Sequence, residues 1–204
     1  MIKNIVFDIG NVLMSFQPIE YFKPIFKDKE KTKMLCDKVF KHKAWSLYDQ
    51  GIYFMEDLYR EYEKAYPNEI EDIKVILHDW LHLLQPMHSS LSYMKALKAE
   101  GYKLFILSNI SKDSADYLKA TQSFFLDAEG YVLSYEEKLN KPSEQIYKTL
   151  CTRYLLEPHE TIFMDDKEEN VLSAKKLGIH GVVFVNIEQT KKEVSDIIDR
   201  SKTC

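Results

Sequence analysis

No run of apolar residues in this chain approaches the roughly 20 needed to cross a bilayer. Its start, one lysine followed by an apolar stretch broken at Asp8, lacks the cleavage-like segment of an export signal. A soluble, unexported protein is expected. Cysteine is scarce: Cys36, Cys151 and Cys204 are odd in number and far apart, with no C-x-x-C pair. That disfavours a disulfide framework or a zinc ribbon and fits a reducing cytoplasm. Neither sign of charge dominates, since 28 basic and 32 acidic residues leave a net −4. Without a long basic run or a basic and aromatic tract, nucleic acid is not an expected partner. Repeats and low-complexity segments are absent too. What is present is apolar content, 45% of 204 residues, ample for one core with a modest insert that should fold alone.

The most informative residues are acids that close short apolar runs. Asp8 ends Ile5-Val6-Phe7, and the pair Asp165 and Asp166 ends Ile162-Phe163-Met164. Runs this short and apolar read as central strands of a parallel sheet, whose acids emerge at the carboxyl edge, where open α/β sheets place ligands. If the two strands are neighbours, three carboxylates crowd one crevice. Like charges about 4 Å apart repel by ~4 kcal/mol at an effective dielectric near 20, so the cluster calls for a cation or a shared proton. Mg²⁺ is the natural cation, because it takes hard oxygen ligands and needs only one or two carboxylates.

Helical and strand patterns alternate along the chain. From about Pro18 to Leu84 the spacing is helical: Met55, Leu58, Tyr59 and Tyr62 share one face, Ile73, Ile76, Leu77 and Trp80 another, and Pro67-Asn68 separates them. Beyond Ser89 the pattern gives strands at 103–107, 131–133, 161–164 and 181–185, with helices to Glu100, over 113–121, 143–154 and 168–177, and from about Thr190. Five strands with intervening helices predict an α/β fold with a parallel, doubly wound, Rossmann-like sheet. Residues 1–15 and 86–204 would form that core, and residues 16–85, too long for an ordinary crossover, a helical lobe of their own. His78 and His82 stand four apart on a helix, but Asp79 follows the first and leucines surround both, so zinc is not expected there.

In chain order the strand ends offer Asp8, Ser108-Asn109, Lys141 before Pro142, and Asp165-Asp166 followed by Asn170. Singly these are ordinary caps and loops; together, in this order, they resemble the four motifs of the haloacid dehalogenase superfamily, most of whose members are Mg²⁺-dependent phosphatases. The insert sits where that superfamily places its helical cap. Phe-Asp-Ile-Gly-Asn-Val-Leu is also similar to the branch holding α-D-glucose-1-phosphate phosphatases. The resemblance implies that Asp8 is a nucleophile that becomes an aspartyl-phosphate. It implies that the Ser108 hydroxyl and Asn109 N–H hold phosphoryl oxygens and that Lys141 neutralises nucleophile and phosphate. Asp166, with Asp165 on the metal or behind it, would hold Mg²⁺ with Asp8 and the Gly10 carbonyl. Asn170 and Ser173 would orient these groups. Asp49, near Gly51, resembles a cap loop that contacts substrate, although packing of a small helical lobe explains Trp45, Tyr48, Asp49 and Tyr53 equally well.

One departure stands out. Most of the superfamily's phosphatases carry a second Asp two residues after the nucleophile as general acid and then base, and here that residue is Gly10. Such an acid is typically worth 10²–10⁴-fold. Its loss favours anomeric sugar, acyl or aryl phosphates, unless a cap residue or the substrate replaces it. The expected function is hydrolysis of a small phosphate ester, with sugar phosphates favoured. Haloacid dehalogenation and a catalytically silent metabolite-binding protein remain alternatives, a phosphomutase is disfavoured, and monomer and homodimer stay open.

Overall fold

The computed structural model describes residues 1–202, so Cys204 lies outside the described residues. Its strands, in chain order, are β1 (Asn4–Phe7), β2 (Met14–Ser15), β3 (Gln85–Pro86), β4 (Lys103–Ser108), β5 (Gly130–Leu133), β6 (Thr161–Asp165) and β7 (His180–Val183). Five of them form one sheet in the order β5-β4-β1-β6-β7, every neighbouring pair parallel. This is the Rossmann-like α/β architecture that the alternation of patterns implies.

Apolar runs suit the central strands because both faces are covered. Ile5, Phe7, Ile106, Ile162 and Met164 pack into one buried cluster, and Val6, Phe105, Leu107 and Phe163 into the other. Alternate residues of a strand point to opposite faces, so a strand buried twice must be apolar throughout. The chain leaves β1 toward β4 and β5, then crosses back to β6 and β7. The strand order therefore reverses at β1, and the crevice beyond the carboxyl ends of β1 and β6 is the topological switch point. Asp8 and Asp165 stand there. The Asp8 N–H donates to the Met164 carbonyl at 2.9 Å, extending the β1–β6 ladder by one residue and fixing where its side chain begins.

Between β2 and β3 lie the helices Pro18–Phe26, Lys29–Phe40, Lys43–Asp49, Met55–Ala65 and Ile70–Asp79. The last gives way to a 3₁₀ turn over Trp80–Leu83, earlier than the periodicity predicts. β2 and β3 pair antiparallel where the chain enters and leaves this helical block. Two residues each, they are too short to register as a sequence pattern. The final helix, Ile187–Lys202, starts ahead of the expected Thr190. Asn186 Oδ1 accepts the Gln189 N–H at 3.0 Å and so supplies the start as an N-cap.

Candidate active site

Four loops at the carboxyl edge of the sheet converge on Asp8. Lys141 reaches it from the loop before helix Glu144–Tyr154, and its buried ammonium uses three directions: the Leu107 carbonyl at 2.9 Å, Asp165 Oδ2 at 2.6 Å and Asp8 Oδ1 at 2.8 Å. Its approach to Asp8 is an ion pair rather than a well-directed hydrogen bond, since Asp8 Oδ1 is buried with no hydrogen-bond partner. Burial would lower the Lys141 ammonium, but the Asp8 and Asp165 charges outweigh it and leave its pKa raised. Burial pushes Asp8 up to about 6, with Lys141 opposing and Asp165 adding to the rise.

Asp165 and Asp166 are adjacent yet differently placed. Asp165 is fully buried and its oxygens are taken: Oδ1 by the Lys167 N–H at 2.8 Å and Asn170 Nδ2 at 2.9 Å, Oδ2 by Lys141. Asp166 is partly exposed and lines the cavity over Asp8. Its Oδ2 accepts from Asn11 Nδ2 at 2.9 Å, and Asn11 Oδ1 accepts the Phe16 N–H at 2.9 Å. Asn11 does this with φ +53°, a left-handed conformation that asparagine tolerates.

One carboxylate oxygen from each of Asp8, Asp165 and Asp166 lies within 4.8 Å of the others. This all-oxygen set, crowded at the cavity floor with Lys141 as the one ammonium paired to Asp8 and Asp165, fits a small hard cation such as Mg²⁺. Gly10 lines the same cavity.

The remaining residues divide by position. Ser108 ends β4, buried, with its hydroxyl toward Asp8. Asn109 faces the Lys141 loop, its side chain paired with that residue's backbone. Asn170 bonds both Asp165 oxygens, and the Ser173 hydroxyl donates to the Pro142 carbonyl at 2.6 Å, so both brace the acid and the lysine.

Above this floor is a cavity of about 490 Å³ whose far wall comes from the helical block. Phe16, Phe40, Trp45 and Trp80 line it, joined edge to face with ring centroids 5.1 Å apart for Phe16–Phe40, 4.7 Å for Phe40–Trp45 and 5.0 Å for Trp45–Trp80. Asp49 lines it as well, at the end of helix Lys43–Asp49. Several bonds hold that helix to the core. Ser134 Oγ donates to the Asp49 carbonyl at 2.5 Å, Asn140 Nδ2 to the Ser46 carbonyl at 3.0 Å, and Lys138 Nζ to the Gly51 carbonyl at 2.5 Å. Tyr48 donates its hydroxyl to Asp113. Sequence reading passed over Ser134 and Asn140, since a loop serine or asparagine carries no pattern of its own.

The model of the haloacid dehalogenase-like hydrolases matches residues 2–178. The chain belongs to that family. Among its relatives is the sesquiterpene phosphatase astK of Aspergillus oryzae, 23% identical over 196 residues, which are 96% of each protein. A family enzyme of Bacteroides thetaiotaomicron, solved with magnesium and inorganic phosphate, is 26% identical with a TM-score of 0.67, covering 90% of this chain and 94% of that one. An L-2-haloacid dehalogenase of Xanthobacter autotrophicus, 18% identical with a TM-score of 0.67, covers 96% of this chain and 83% of its own. At that identity the last shares the fold alone.

Proposed function

We propose that this hydrolase is a Mg²⁺-dependent phosphomonoesterase for small phosphorylated metabolites, working through an aspartyl-phosphate. The observation that carries this is the Asp8 carboxylate, held at 2.8 Å by Lys141 at the floor of a cavity that Asp166 also lines. In the first step an Asp8 oxygen bonds phosphorus and the ester P–O bond breaks, its electron pair leaving with the alcohol oxygen. Water then attacks the same phosphorus, releasing phosphate and restoring the carboxylate. The Ser108 hydroxyl, the Asn109 N–H and Lys141 would grip phosphoryl oxygens. Asp8, Asp166 and the Gly10 carbonyl would hold Mg²⁺, which supplies charge neutralisation for nucleophile and phosphate. Asp165, with both oxygens engaged, would fix Lys141 from behind. Residues 16–85 would act as a cap that excludes water over a core of 1–15 and 86–204. Among the described residues no helix is long and apolar enough to cross a membrane, and a cytoplasmic setting belongs to this proposal.

For substrate we favour sugar phosphates, an anomeric hexose phosphate among them, supported by His42, Ser46, Asp49 and Asn140 around the aromatic wall. The apolar share of that wall, Phe16, Phe40, Trp80, Leu84 and Leu118, supports a second reading, a monoester of an apolar alcohol. The test is phosphate release from glucose 1-phosphate, glucose 6-phosphate, acetyl phosphate, p-nitrophenyl phosphate and an isoprenoid monophosphate, with Mg²⁺ or EDTA. Turnover should vanish with EDTA and in Asp8→Asn. Metal-independent halide release from a 2-haloacid would instead make it a dehalogenase, and silence toward every ester despite Mg²⁺ binding would make it a binding protein.

A further inference from the structure

Gly10 leaves the leaving-group oxygen without a proton donor in the loop after β1, yet nothing steric demands glycine there. A Cβ built at Gly10 meets nothing within 4 Å, so the place of an acid is open. Across the same cavity stands a carboxyl group that accepts from the Ser111 backbone N–H but, among the described residues, has no ion-pair partner in contact with it. Asp49 is anchored through its backbone, by the Ser134 hydroxyl on its carbonyl, while its side chain lines the cavity that Asp8 floors. The tethers from Ser134, Lys138 and Asn140 hold this end of the helix at the core, so the carboxyl is presented to the crevice by a fixed element.

We propose that Asp49 is the acid and base of this site, delivered from the helical block in place of the residue missing at Gly10. This rests on the phosphomonoesterase reading and deepens it. As the Asp8 oxygen bonds phosphorus and the ester P–O bond breaks, the Asp49 carboxyl proton passes to the departing alcohol oxygen, leaving Asp49 as carboxylate. That carboxylate then takes a proton from the attacking water, whose oxygen bonds phosphorus while the Asp8–phosphorus bond breaks. Phosphate leaves and both carboxyl groups return to their starting state. The local charges suit a group that must begin protonated: burial raises its pKa to about 7, Lys167 and the Ser111 backbone N–H oppose the rise, and Asp8 adds to it. Lys41, His42, Lys43, Lys141, Asp166 and Glu169 are the other charged or titratable groups on the cavity wall. With a donor at Asp49 the enzyme is not restricted to activated leaving groups, and the missing side chain at Gly10 ceases to select the substrate.

The decisive comparison is pre-steady-state kinetics of Asp49→Asn with Mg²⁺ and excess substrate, on an alkyl phosphate that needs a proton to leave and on p-nitrophenyl phosphate, whose phenolate leaves without one. The alkyl ester should lose on the order of 10²–10⁴-fold in the first step. The aryl ester should give a burst near one equivalent of p-nitrophenolate, followed by slow turnover with phosphoenzyme trapped by acid quench. Adding Gly10→Asp to that variant should return alkyl turnover by at least tenfold. Equal loss of the first step for both esters, with no burst, would show that Asp49 only binds the alcohol and would overturn the inference while leaving the phosphatase reading intact. Silence of the wild type toward both esters would overturn the two together.

Discussion

The side-chain amide of Asn109 and the backbone of Lys141 hydrogen-bond in both directions: Nδ2 donates to the Lys141 carbonyl at 2.9 Å, and Oδ1 accepts the Lys141 N–H at 2.8 Å. The loop bearing the lysine is thus locked to the end of β4 before its ammonium reaches Asp8. Each such bond is worth ~0.5–1.5 kcal/mol net. Asn109→Ala should lower the melting temperature and reduce kcat on the order of tenfold, with smaller change in KM. Asn109→Asp keeps the acceptor but aims a carboxylate at the Lys141 carbonyl, and should melt lower still. Thermal melts and steady-state kinetics on the three proteins check this; unchanged kcat in Asn109→Ala would show that the lysine is positioned without it.

Asp165 and Asp166 should separate cleanly by measurement. Asp165 is buried and is one of two carboxylates neutralising Lys141, and breaking a buried pair typically costs ~3–5 kcal/mol. Asp165→Asn should therefore melt well below wild type without metal. Asp166→Asn removes a partly exposed charge, so it should melt near wild type yet lose the Mg²⁺-induced rise in melting temperature. Calorimetric titration with Mg²⁺ gives the same answer independently. A full Mg²⁺ response in Asp166→Asn would move the metal contact to Asp165.

The sheet and the site floor were legible in the sequence because both are written in local patterns. Apolar runs such as Ile162-Phe163-Met164 must be strands buried on both faces, and acids at their ends must meet at the carboxyl edge. The family resemblance added order to Ser108 and Lys141, which alone read as a cap and a loop. Contacts across long sequence separation were not legible. The bond from Ser134 to the Asp49 carbonyl spans 85 residues, and nothing near either residue announces it. β2 and β3 escaped for a different reason: a two-residue strand has no period. Trp45 reads equally as lobe packing or crevice contact, and it is both, packing edge to face on Phe40 and Trp80 while it lines the cavity.

Gly51 marks where the helical block presses on the core. Its φ is +64°, and a Cβ there would lie 2.6 Å from the Tyr135 carbonyl oxygen and 2.7 Å from Lys138 Nζ. Lysine can withdraw, but a backbone oxygen cannot do so cheaply. Gly51→Ala should cost more than the ~1 kcal/mol of left-handed strain and should loosen the tether of Asp49. Gly101 has φ +95° with nothing within 4 Å of its Cβ position, so Gly101→Ala carries the backbone strain alone. The drop in melting temperature should be larger for Gly51→Ala, and only that variant should lose kcat/KM. Equal drops and equal activity would mean that the close approach is not needed to seat Asp49.

Asp49 should also leave its mark on stability. Its folded pKa, pushed by burial to about 7 against Lys167 and Ser111, lies above the ordinary 3.8. Between those values the folded chain holds a proton that the unfolded chain has released, so stability falls as pH rises through this window and stays low above it. Asn cannot ionise and escapes that cost. In metal-free buffer Asp49→Asn should therefore be more stable than wild type at pH 8, by a few kcal/mol at most, and the two should converge near pH 4. Melting curves across pH 4–8 test this directly. A constant difference over the whole range would mean that the Asp49 proton is not held by the fold, which would remove the electrostatic support for its role as the acid.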